Sequence, residues 1–114
     1  MIDRSAIEQI LAQYEKHGWA PRRVLLSDGF RERVPGAEDL FSDLDVRSSG
    51  LDAIWFSRSS RPGATAWEIR RLTDAPFALV VVVDDDAGPE EAEHTLGEAE
   101  SRMFEASNNP LAGH

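Results

Sequence analysis

The longest uninterrupted apolar stretch of the chain is Phe77-Ala78-Leu79-Val80-Val81-Val82-Val83. Periodicity cannot type such a run, so length and residue type decide. Seven residues suit a strand and fall short of a typical helix. The valines agree, because β-branched side chains fit a pleated surface and are stiff in a helix. Thr73-Asp74-Ala75-Pro76 reads as a turn before the run, and Asp84-Asp85-Asp86 ends it. In a strand, Phe77, Leu79, Val81 and Val83 share one face, and Ala78, Val80 and Val82 share the other. Both faces are apolar, which predicts an interior strand covered on both sides. The run is too short for a membrane helix, which needs about 20 apolar residues.

The rest of the chain follows from similar patterns. Ser5-Ala6-Ile7-Glu8 fits a capping box, with Ser5 as N-cap. Ile7, Ile10, Leu11 and Tyr14 continue at helical spacing, and Gly18 suits a left-handed stop, so a helix is expected over residues 3–17. Arg22–Ser27 reads as a strand. Asp28-Gly29 is a hairpin signal, with Phe30–Val34 as the returning strand and a candidate sheet edge. Ala37–Leu44 suggests a short helix, and Asp45–Gly50 reads as polar turn. Leu51–Arg58 and Ala64–Leu72 are strands around a turn at residues 59–63, with Trp67 opposite Trp55, Phe56 or Ser57. Gly88-Pro89-Glu90-Glu91 opens a last helix whose stripe is Ala92, Leu96, Ala99, Met103 and Ala106. Phe104 lies off that stripe, and Asn108-Asn109-Pro110 stops the helix.

The predicted fold class is α+β. An antiparallel sheet of about five strands, a hairpin plus a three-stranded meander, carries N- and C-terminal helices packed on it. Residues 1–107 form one domain, and residues 108–114 are expected to be a mobile tail. Both helices are expected on one sheet face, leaving the other for a second copy packing sheet to sheet.

Charge sharpens this picture. The 114-residue chain has a net charge of −9. Residues 1–74 carry 11 basic and 12 acidic side chains, whereas residues 75–114 carry 1 and 9. Nucleic-acid phosphates are therefore poor partners, while a basic protein is allowed. Surplus carboxylates also serve solubility. The chain has no cysteine, which removes disulfide and thiol chemistry and suits a cytoplasmic location. No signal-peptide pattern stands at the N-terminus.

Candidate chemistry is sparse. The acids Asp84, Asp85, Asp86, Glu90 and Glu91 offer oxygen ligands, but no calcium-loop spacing is present. Ending a strand and favouring a helix N-terminus explains them more simply. Glu91 and His94 form a single Glu-x-x-His, where bundle metal sites use two such motifs plus further glutamates. Arg58-Ser59-Ser60-Arg61, with Arg70 and Arg71 on the next strand, has arginine donors for an anion, or equally a solubilising hairpin tip. Trp55 and Trp67 suit a core or a pocket wall. No nucleophile elbow, glycine-rich phosphate loop, zinc pattern or dinucleotide fingerprint occurs. No catalytic residue, metal or cofactor is expected.

The sequence thus points to a small acidic cytoplasmic domain, non-enzymatic in its first reading, working through protein contacts. The expected partner is a second copy in a homodimer, or else a basic protein meeting Glu91 and Glu98. The alternative is a ligand-binding module or minor enzyme, with Trp55, Trp67, Arg58 and Arg70 around a pocket between the sheet and the terminal helices.

Overall fold

The computed structural model describes residues 3–73 and 77–108. The elements run α1 (Arg4–Lys16), β1 (Ala20–Leu26), α2 (Asp28–Arg33), a 3-10 turn (Ala37–Phe41), β2 (Asp45–Ser48), β3 (Ala53–Ser59), β4 (Ala64–Arg71), β5 (Ala78–Asp84) and α3 (Pro89–Asn108). The fold is α+β, with one five-stranded sheet in the order β2-β1-β3-β4-β5. Every pair is antiparallel except β1–β2, which is parallel, so the sheet is mixed.

Helix α1 forms as its apolar stripe predicts, but its cap is Asp3 rather than Ser5. The Asp3 carboxylate accepts from Ala6 N at 2.8 Å. Gly18 ends the helix at φ +85°. Its N–H donates to Glu15 O at 3.0 Å, and Trp19 N–H donates to Tyr14 O at 3.0 Å. That pair of bonds closes the last turn around a left-handed glycine.

The Asp28-Gly29 hairpin does not form. Ser27 caps a helix instead, with its hydroxyl accepting from Phe30 N at 3.1 Å. The reason lies in Glu32. In a strand, Phe30, Glu32 and Val34 would share a face, burying a carboxylate. In a helix, Phe30 and Val34 lie four apart and both are buried, while Glu32 stays exposed. The chain then reaches β2, where turn was expected. The connection between β1 and β2 is long enough for the crossover that parallel strands require. The fifth strand is therefore Asp45–Ser48, not Phe30–Val34.

A bulge at Pro21–Arg23 accommodates proline within β1. The extra residue, Arg22, donates from Nε to the Ser57 hydroxyl at 2.9 Å, satisfying a buried polar group. The β3–β4 register places Ser57 opposite Trp67, one of the three registers the sequence allowed.

The terminal helices pack on opposite faces of the sheet, not on one. Ile7 of α1 joins Phe30, Val34, Phe41 and the even-numbered strand residues Val24, Leu26, Ile54 and Phe56. Leu96, Ala99 and Met103 of α3 join the odd-numbered Leu25, Ala53, Trp55 and Ile69. Strand alternation turns those two sets to opposite sides. The most completely covered strand is β3, whose first five residues are all buried.

The valine run corrects the largest expectation. Strand β5 is an edge of the sheet, not an interior strand. Leu79 and Val81 pack with the α3 cluster. On the other face no β5 residue belongs to the α1 cluster. The proposed tail at residues 108–114 falls largely outside the described residues.

Candidate functional site

Three large apolar side chains are exposed among the described residues: Val80 at 56%, Val82 at 47% and Phe104 at 46%. Two of them are neighbours on one face of β5. Their backbone is open as well. Arg71 N–H donates to Phe77 O at 2.9 Å, and Asp85 N–H donates to Gly63 O at 2.8 Å. These pairs continue the β4–β5 register one step past Arg70–Ala78 and one step past Ala64–Asp84. Antiparallel pairing alternates, so odd-numbered β5 residues turn their peptide groups toward β4. Ala78, Val80, Val82 and Asp84 turn theirs outward. The described residues thus leave a free edge whose N–H and C=O groups and valine side chains are presented together.

The edge continues inward on the same face. Val80 lies opposite Glu68, Val82 opposite Ala66, and Ala78 opposite Arg70. Glu68 accepts the phenol hydrogen bond of Tyr14. The Tyr14 ring stacks on Phe56, with centroids 3.9 Å apart. Burial first, and then the Glu68 carboxylate, push the Tyr14 phenol well above its ordinary pKa. Gln13, Tyr14, His17, Trp19 and Glu68 line a groove of about 220 Å³. Arg58 lies over the Trp19 ring at 5.4 Å and donates to His17 O at 2.9 Å. One carboxylate beside two aromatic rings suits a cationic group.

The opposite face carries a different polar cluster. Arg23, 11% exposed, bonds to Glu93 with both terminal nitrogens. Asp45 and Glu100 lie within 3.7 Å and 3.8 Å of its guanidinium. Glu100 also accepts from Trp55 Nε1 at 2.8 Å. The Arg23 hydrogen bonds hold the Glu93 carboxyl below the usual range. This network fastens α3 across β1 and β2.

The residues singled out from sequence do not converge. Trp55 is fully buried under α3, and Trp67 meets it edge-on at 6.2 Å. Arg58 and Arg70 belong to the α1 face, so the sheet separates them from both tryptophans. Arg61 turns away to Asp84 at 3.3 Å. Asp85 accepts from the Thr65 hydroxyl at 2.8 Å. Glu91 and Glu98 are exposed on α3, and His94 approaches Glu98 at 2.9 Å. No grouping of three or more His, Cys, Asp or Glu that could hold a metal occurs among the described residues. No helix among them is long and apolar enough to cross a membrane.

Sequence reasoning missed both Tyr14–Glu68 and the Arg23 network. Tyr14 and Glu68 are 54 positions apart, and Arg23 and Glu93 are 70 apart. No local spacing connects such pairs. The available hint was Arg22-Arg23 inside an otherwise apolar strand, since a charge at a strand's inward position needs partners. No family model, curated protein or solved structure matches the chain.

Proposed function

We propose that this chain is a non-enzymatic interaction domain, and that the free edge of β5 is its docking surface. The observation that carries the reading is Val80 beside Val82, both about half exposed, on a strand that among the described residues is bonded along one side only. Edge strands are ordinarily blunted by lysine, proline or inward charge. Ala78–Val83 has none of these. Addition of a partner strand would supply main-chain hydrogen bonds and cover the valines together. A cytoplasmic setting belongs to the same proposal, supported by the cysteine-free composition.

The test compares the wild-type chain with a Val80→Lys, Val82→Lys double variant, both tagged. Each is incubated alone and in lysate of the source organism. Both positions are exposed, so circular dichroism and the urea midpoint should change little. Association, with itself or with another protein, should be lost in the variant. A variant that keeps every associated species while remaining folded overturns the reading.

The acidic surface of α3 supports a second, narrower reading. Glu91 and Glu98 are exposed and fit a basic protein. Binding there should weaken with salt and with Glu91→Lys plus Glu98→Lys. A basic partner indifferent to both would remove it. The small-ligand alternative rests on the Tyr14–Trp19–Glu68 groove rather than on Trp55 and Trp67. Saturable quenching of Trp19 by a cationic ligand, absent in Trp19→Phe, is its expected signature.

A further inference from the structure

Resting on the edge reading, we infer that the strand docking on β5 is β5 of a second copy, paired antiparallel about a two-fold axis through Val81. The two-fold matches residue 78 with 84 of the second copy, 79 with 83, 80 with 82, and 81 with itself. This is the register in which the seven-residue strand overlaps its copy along its full length.

The peptide groups fit. Ala78, Val80, Val82 and Asp84 face outward, and this register opposes outward residues to outward residues throughout. Each opposed pair exchanges two bonds, giving about eight across the junction. Val81 then meets its own copy at a non-hydrogen-bonded position, where Cα atoms stand about 4.5 Å apart.

The side chains fit as well. Val80 meets Val82 of the second copy on the α1 face, and Leu79 meets Val83 on the α3 face. The two exposed valines of each chain thereby cover one another. An isologous contact needs such self-complementarity, because one patch serves both sides.

Charge selects the antiparallel sense. In a chain of net charge −9, self-association has to keep its acids apart. Parallel pairing would set the two Asp84-Asp85-Asp86 triplets side by side. Antiparallel pairing puts them at opposite ends, about 20 Å apart for seven strand residues. It also sets Asp84 of the second copy opposite Ala78, whose neighbour across β4 is Arg70. Arg70, which donates to Arg71 O within its own chain, lies two strand spacings, about 10 Å, from that carboxylate, and the small Ala78 side chain between them leaves it room to lean across. Among the described residues Asp84 pairs with an exposed Arg61, a contact readily shared.

The test uses the absence of native cysteine. Single variants Val80→Cys, Val81→Cys, Val82→Cys and Val83→Cys are oxidised mildly in the full chain, after circular dichroism confirms folding. Val81→Cys should form covalent dimer several-fold faster than the others, because only residue 81 faces itself within disulfide reach. Wild-type chain is examined in parallel by sedimentation equilibrium. The contact is small, so dimer should appear in the micromolar range or above. A dimer linking fastest through residue 80 or 82 overturns this register. A monomer up to about 500 µM overturns the second-copy inference, since even a millimolar dissociation constant would show. That result would leave the edge reading to be judged by the lysate comparison above. Loss of no partner in Val80→Lys, Val82→Lys would overturn both.

Discussion

The phenol of Tyr14 donates to the carboxylate of Glu68, joining the last turns of α1 to the middle of β4. The bond spans the α1 face of the sheet and forms the inner border of the surface that leads to Val80. It also brings a titratable group into the packing between helix and sheet.

Tyr14 is the only tyrosine in the chain, so its ionisation is directly readable. An unfolded tyrosine ionises near pH ~10. Burial and Glu68 raise the folded value above that. The unfolded chain therefore releases a proton that the folded chain keeps. Below pH ~10 both states hold the proton and stability is unaffected by it. Above that, stability falls as pH rises toward the folded value. Tyrosinate absorbance should appear well above pH ~10 in the native protein. Tyr14→Phe should flatten the alkaline loss of urea stability while costing about 1 kcal/mol at pH 7. Native tyrosinate appearing at the ordinary pH, or an unchanged alkaline slope in Tyr14→Phe, would refute the assignment.

Arg23 should matter more than its acidic partners do singly. It is largely buried, and Glu93, Asp45 and Glu100 all lean on it. Arg23→Ala should cost about 2–3 kcal/mol in urea unfolding, because Glu93 and Glu100 lose their nearest cation, while Asp45 keeps Arg47 at 2.9 Å. Glu93→Gln should cost less than about 1 kcal/mol, since half of that side chain is in water. The depressed Glu93 pKa contributes stability that is present above the unfolded carboxyl range and lost as pH falls through the folded value. Glu93→Gln should therefore also lose part of the acid dependence. Equal costs for the two variants would count against Arg23 as the hub.

Gly18 isolates a backbone effect. It sits at φ +85°, and a Cβ there would meet nothing within 4 Å. Gly18→Ala should destabilise by about 1 kcal/mol through left-handed strain alone. A neutral result in chemical denaturation would show that the α1 stop relaxes to another conformation.

Much of the fold was legible in local pattern. The stripe of α1, the strand type of β3, β4 and β5, and the Pro89-Glu90-Glu91 start of α3 all follow from residue spacing within a few positions. Asp28–Val34 was not, because Asp-Gly between apolar residues suits a hairpin and a capped helix alike. Packing decided it: the helix buries Phe30 with Val34 and frees Glu32. The candidate site was half legible. The valine run announced itself, but its openness did not.

The sequence by itself determined which segments are helix or strand wherever the period was clear, and which side chains share a face of β5. It also placed the surplus acid in the last forty residues. Only the tertiary structure decided that β5 is an edge, that α1 and α3 take opposite faces, and that Arg23 meets Glu93. The physical reason is that periodicity reports how apolar a face is, not what lies over it. Cover depends on strand order, and strand order is set by contacts between residues far apart in the chain.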